Sequence, residues 1–116
     1  MLDKMARIAW LYDFYGSLLT EKQRRFIELY YHQDYSLAEI ADLTGVSRQA
    51  VHDLLKRSEN SLEEYEASLG FLGKYLEQQK IVAEIKELLS KVQIDGELAE
   101  QAHSLLESLL EVYQET

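Results

Sequence analysis

The stretch "LTGVSRQAVHDLLKR", residues 43–57, decides how this chain folds. Thr44-Gly45-Val46 reads as a tight turn between two helices, because glycine enters the left-handed backbone region without a Cβ penalty. Ser47 then stands where a helix N-cap belongs, its oxygen free to accept from an amide three residues on. Upstream, "SLAEIADL" places Ser36 and Glu39 at capping-box spacing, so a short helix of about two turns precedes the turn. Ala41 is small where a second helix must cross. Ile40, Val46, Val51 and Leu54 are apolar where two such helices bury against each other. Residues 36–57 therefore read as a helix-turn-helix.

The same signals extend outward. Thr20 and Gln23 form another capping-box pair, opening a helix that carries Phe26, Ile27, Leu29 and Tyr30 and ends in a polar turn over residues 32–35. An aromatic-rich helix over residues 3–15 comes before it, stopped by Gly16 and Ser17. Downstream, Val51, Leu55, Ser58, Leu62, Tyr65 and Leu69 recur at alternating steps of four and three, the seam of a helix running from Ser47 to about Ser68. Gly70 and Gly73 mark a boundary, residues 71–92 form a long amphipathic helix, and Ile94-Asp95-Gly96 a turn. The last helix has Leu98, Ala102, Leu105, Leu106, Leu109, Leu110 and Tyr113 on one stripe. The expected fold class is all-α: a helix-turn-helix bundle over residues 1–69, then a long C-terminal helical hairpin over residues 70–116.

Composition agrees. The 116 residues include no proline and only five glycines, and 47% are hydrophobic. That is too apolar for disorder and too poor in turn formers for a sandwich of short strands. Cysteine is absent, which excludes disulfides and thiolate metal sites. No apolar run reaches the ~20 residues that span a bilayer, and the first ten residues lack a leader's unbroken apolar core. A cytoplasmic protein without membrane association is expected.

The formal charge is -9, an obstacle for any helix that must approach a polyanion. The acid, however, is unevenly placed. Up to Arg57, basic and acidic side chains balance; after Ser58, four lysines face thirteen acids and account for the whole surplus. The second helix of the motif presents Ser47, Arg48, Gln49, His52, Asp53, Lys56 and Arg57 outward near its N-terminus, where a recognition helix meets the major groove. Arg48 suits guanine or phosphate, Gln49 adenine, and His52 a base or backbone acceptor. Asp53 suits cytosine N4 but repels phosphate. Lys56, Arg57 and the cluster Lys22, Arg24 and Arg25 read as phosphate clamps, which position a protein without reading sequence. For that cluster, an ordinary solvated helix face is the alternative.

The stretch "LTEKQRRFIELYYHQDYSLAEIADLTGVSRQAVHDLLKR" resembles region 4 of bacterial sigma-70-type factors, in which an equivalent helix-turn-helix binds promoter DNA. With the flanking "LYDFYGSLLTEKQ", "GVSRQAVHDLLKRSE" and "LGFL", nearly the whole chain resembles the YlxM-type family of small bacterial DNA-binding proteins. Genes of that family lie beside those of the signal recognition particle GTPase and its receptor. The resemblance implies a DNA-binding regulator bearing on that pathway, with a particle component as a further partner, and it carries no catalytic residues. The acidic C-terminal helices and Asp53 depart from sigma region 4.

Other constellations are read more plainly. Trp10, Tyr12, Phe14, Tyr15, Phe26, Tyr30 and Tyr31 are either a partner pocket or the core of a three-helix unit, and a core is the commoner use. Glu100 to His103 has the Glu-x-x-His spacing of di-iron bundles, which need a second copy and two more glutamates. No nucleophile arrangement and no glycine-rich phosphate loop is present. No enzyme, cofactor or metal is expected. The apolar residues Ile81, Val82, Leu88, Leu89, Leu105 and Leu109 exceed what a two-helix hairpin covers, so a homodimer through these helices is expected. Such a dimer suits paired half-sites on double-stranded DNA. The rival reading is an adaptor that uses the same fold to grip a protein or ribonucleoprotein component of the pathway.

Overall fold

The computed structural model describes residues 3–93 and 95–111. Ile94 of the final turn and Tyr113 of the last stripe lie outside them. The described residues form six helices and no strand: α1 (Lys4–Tyr15), α2 (Glu21–Ile27), α3 (Leu37–Thr44), α4 (Arg48–Leu69), α5 (Phe71–Ser90) and α6 (Gly96–Glu111). The chain divides into two units, Met1–Gly70 and Phe71–Thr116.

Local chemistry sets the helix ends of the first unit. Asp3 caps α1 by accepting from the Ala6 amide at 2.8 Å. Thr20 and Gln23 close a reciprocal capping box at α2, as do Ser36 and Glu39 at α3. Both satisfy amide donors that a helix start otherwise leaves unpaired. Glu39 is held below the usual carboxylate range by hydrogen bonds from the Ser36 backbone and side chain. The helix over residues 20–32 departs from a plain α-helix. After Ile27 it widens into a π turn over Glu28–His32, with the Gln33 amide donating back to the Glu28 carbonyl at 3.0 Å. Asp34 leaves that turn at φ 57°, a left-handed position that aspartate tolerates better than most residues.

The core of this unit is built on α4. Val51, Leu55, Ser58 and Leu62 are buried along it, facing Ile8, Leu11, Phe14, Tyr15, Phe26, Ile27, Leu29 and Ile40 among the core. The 4–3 seam holds through Leu62; beyond it Tyr65 is half-buried and Leu69 exposed. Ser58 is tolerated inside because its hydroxyl donates to the Leu54 carbonyl at 2.8 Å. The aromatic cluster divides between interior and surface. Phe14, Tyr15 and Phe26 are buried, whereas Trp10, Tyr12, Tyr30 and Tyr31 are half-buried.

Helix α1 does more than fill the core. The Arg7 guanidinium donates twice to Glu63, at 2.7 Å each. The Tyr15 hydroxyl donates to Glu66 at 2.6 Å, and Lys4 lies 3.2 Å from Glu59. Glu59 also accepts from the Tyr31 hydroxyl at 2.6 Å. The Arg7 hydrogen bond lowers the Glu63 pKa, while burial and Glu59 push the Tyr31 phenol up. Three of the four glutamates in α4 are thus turned toward other parts of their own unit.

In the second unit, α5 and α6 form an antiparallel hairpin. Lys86 pairs with Glu107, and Tyr75, Gln79, Val82 and Ala83 line one cleft with Leu110 and Glu111. Val82, which the sequence reading assigns to an intermolecular interface, is buried here. Leu89, one heptad further along, is half-buried. Because residues seven apart share a face, Tyr75, Val82 and Leu89 form the hairpin's own inner stripe.

Candidate nucleic-acid interface

The turn between α3 and α4 is stabilised from within. Gly45 sits at φ 74°, and its amide donates to the Ala41 carbonyl at 2.9 Å, ending α3. The Thr44 hydroxyl donates to the Ile40 carbonyl at 2.6 Å. Ser47 accepts from the Ala50 amide at 3.0 Å and starts α4. Ile40, fully buried, anchors α3 in the core. A Cβ at Gly45 would meet no atom within 4 Å, so substitution there costs backbone strain alone. Gly45→Ala is expected to lower stability by about 1–2 kcal/mol without altering the fold, read by urea denaturation. A loss below a few tenths would mean the turn does not require the left-handed position.

With this turn fixed, Ser47, Arg48, Gln49, His52, Asp53, Lys56 and Arg57 are all exposed. Gln49, Asp53, Lys56 and Arg57 share the solvent side of α4, opposite Val51, Leu55 and Ser58. His52 and Arg48 border it at the helix start. Two of these side chains are not independent. The Gln49 amide donates to Asp53 at 2.9 Å, and His52 Nδ1 lies 3.4 Å from the same oxygen. The Gln49 bond, then His52, holds the Asp53 carboxyl below its usual range. An ionised carboxylate therefore stands on this face beside His52 and Arg57, and Gln49 must leave it to read a base.

Lys22, Arg24 and Arg25 are exposed on α2 but do not share one face. Lys22 and Arg25 are three apart and neighbour each other; Arg24 falls on the other side of the helix. There its guanidinium acts on the Tyr12 phenol, which donates to Glu28 at 2.8 Å. Burial and the Glu28 bond raise the Tyr12 pKa, and Arg24 opposes them. Arg24 is part of an internal network, which leaves Lys22 and Arg25 as the cations of α2 most open to a phosphate.

One participant escaped the sequence reading. Lys4 shares a cleft of about 200 Å³ with Tyr30, Tyr31, His52, Lys56 and Glu59, so α1 contributes a cation beside the recognition helix. Nothing in the sequence pairs residue 4 with residue 56. The acids of α4 did leave a trace: Glu59, Glu63 and Glu66 follow steps of four and three, the spacing of one helix face. Among the described residues no three His, Asp or Glu side chains form a metal-binding group, and no helix is long and apolar enough to cross a membrane.

A short helix locked by one buried isoleucine, a left-handed glycine, and a capped second helix with its first turns open to solvent define a helix-turn-helix protein. The chain belongs to the UPF0122 family. The model of that family, described as "Putative helix-turn-helix protein, YlxM / p13 like", matches residues 2–102. Relatives bearing that family name are similar over nearly their full length. A UPF0122 protein of Halalkalibacterium halodurans is 50% identical over 109 residues, spanning 94% of this chain and 96% of the relative. One from Bacillus mycoides is also 50% identical over 109 residues, spanning 94% and 99%. One from Bacillus cereus strain AH187 is 49% identical over the same length, with the same coverage as the Bacillus mycoides protein.

Proposed function

We propose that this protein is a non-enzymatic regulator that binds double-stranded DNA through the first turns of α4. It acts in the signal recognition particle pathway, the setting that the family resemblance implies. The observation that carries the DNA reading is the separation of charge along α4. Arg48, Lys56 and Arg57 are exposed, while Glu59, Glu63 and Glu66 further along engage Lys4, Tyr31, Arg7 and Tyr15. Those three acids are therefore engaged within their own unit, leaving Asp53 and Glu64 as the exposed acids of the helix. Arg48 and Lys56 approach the groove, and Lys22 and Arg25 add positioning contacts to the backbone.

One observation favours the adaptor instead. Asp53 lies in the middle of the proposed reading face and stays ionised, which phosphate would oppose and a cationic protein surface would welcome.

Fluorescence anisotropy with mixed-sequence duplex, titrated in salt, separates the two. Five phosphate contacts per subunit, from Arg48, Lys56, Arg57, Lys22 and Arg25, predict a log–log slope of about -4.5, and Asp53→Asn should tighten non-specific binding several-fold by removing the repelling charge. Absence of duplex binding at low salt would discard the DNA reading in favour of the adaptor. An Asp53→Asn variant that binds more weakly would mean Asp53 makes a favourable base contact.

A further inference from the structure

The second unit carries two apolar stripes on each helix, and its hairpin covers only one of them. On α5 the inner stripe is Tyr75, Val82 and Leu89. A second runs through Ile81, Ile85, Leu88 and Val92, the last in the turn just beyond the helix, and all four are exposed. On α6, Ala99, His103, Leu106 and Leu110 are half-buried on the inner side. Leu98, Ala102, Leu105 and Leu109 form the outer stripe, and its three leucines are exposed, Leu105 by 71%. Both outer stripes advance by four, three and four residues, the spacing of a heptad seam. A seam of that period is complementary to another helix lying nearly parallel to it.

We propose that the outer seams of α5 and α6 pair with the same seams of a second copy of this chain about a two-fold axis, giving a four-helix bundle. In such a bundle each helix has two helical neighbours and needs two seams, which is the pattern both helices display. Identical surfaces close on themselves only through a two-fold contact. The area suffices: the seven exposed aliphatic residues present roughly 700 Å² per chain, so pairing covers roughly 1,400 Å², within the ~1,200–2,000 Å² of stable specific interfaces.

Register and charge favour a second copy over an unrelated helix. An antiparallel α5 pair centred between Ile85 and Leu88 sets Leu88 against the partner's Ile85. An α6 pair centred between Ala102 and Leu105 sets a leucine against the partner's alanine, a large residue into a small one. Because Lys86 pairs with Glu107 within the hairpin, these two centres lie about 4.5 Å apart along it, less than one helical turn. One axis therefore serves both seams. The flanking positions are Glu84 and Lys91 on α5 and Gln101 and Ser108 on α6, which sum to no charge in a chain of -9; Lys91 also lies 3.7 Å from Glu87 of its own chain. Across the axis Glu84 meets the partner's Lys91. This inference does not depend on DNA binding.

Light scattering on the full chain tests it. The expected mass is twice 13.5 kDa at micromolar concentration. Leu88→Glu with Leu105→Glu should halve that mass while circular dichroism keeps its helical signal, because both positions are exposed. Leu88→Ala with Leu105→Ala should raise the dimer dissociation constant at least tenfold without introducing charge. Glu84→Lys should weaken the dimer, and adding Lys91→Glu should restore it. A wild-type monomer at every concentration overturns the proposal and leaves the stripes to a different protein. Species larger than a dimer, or a dimer that survives the glutamate pair, overturn it too. Failure of the charge exchange to restore association overturns the antiparallel register.

Discussion

Replacing Arg48, Lys56 and Arg57 together by alanine is expected to weaken duplex binding by about two orders of magnitude at moderate salt, at roughly 1 kcal/mol per lost phosphate contact. The same variant should flatten the salt dependence by about 2.7 log–log units, three contacts at ~0.9 each. Both effects follow from geometry. The three cations are exposed on α4; Glu59, which shares a cleft with Lys56, is engaged by Lys4 and Tyr31, and Glu64 is an exposed acid of the later turns. Stability should scarcely change, since surface substitutions of this kind usually stay within about 0.5 kcal/mol. Anisotropy measured at several salt concentrations, with a thermal melt alongside, reads both quantities. A variant that loses affinity with an unchanged slope would place the lost energy outside phosphate contacts. Unchanged affinity would move the interface off α4 altogether.

Ile40→Ala carries the largest expected effect on folding. Helix α3 has eight residues and one buried side chain, Ile40, which is fully enclosed. Truncating it removes the one fully buried side chain that this helix sets into the core, leaving half-buried Leu37 and Ala41, at an expected cost of about 3 kcal/mol from lost transfer energy plus the cavity left behind. Against a typical stability of ~5–15 kcal/mol for a whole domain, that is a large fraction. The capping box and the Gly45 turn remain, so α3 keeps its local instructions but loses its footing. Hydrogen exchange should show α3 amides opening far more readily than those of α4 around Val51 and Leu62. DNA affinity should fall with them, because the turn that aims Ser47 and Arg48 rests on α3. A cost below about 1 kcal/mol in urea denaturation would mean another contact holds the helix.

These two variants also mark how far the sequence could be read. Each cap and turn was legible because its cause lies within four residues: Thr20 with Gln23, Ser36 with Glu39, Ser47 with the Ala50 amide, and Gly45 closing back on Ala41. The core seam through Val51, Leu55, Ser58 and Leu62 was legible for a similar reason, since helical period alone brings those positions onto one face. The π turn over Glu28–His32 was not, because the residues there fit an ordinary helix as well. Arg24 looked like its neighbours until Tyr12 and Glu28, from α1 and the π turn, were placed around it. Val82 looked like Ile81, and only the position of α6 made one an inner residue and the other an outer one.

The amino-acid sequence by itself determined six helices, the helix-turn-helix, the residues at the start of α4 and the family. All of these rest on short-range rules of capping, backbone freedom and periodicity. Tertiary structure alone decided which charges remain available. Arg7 finds Glu63 across 56 positions, Tyr15 finds Glu66 across 51, and Tyr31 finds Glu59 across 28. No local pattern encodes those meetings; they exist because α1 and the π turn pack against α4 at one particular crossing. That crossing draws three glutamates inward and leaves the first turns of α4 facing solvent with Arg48, Lys56 and Arg57.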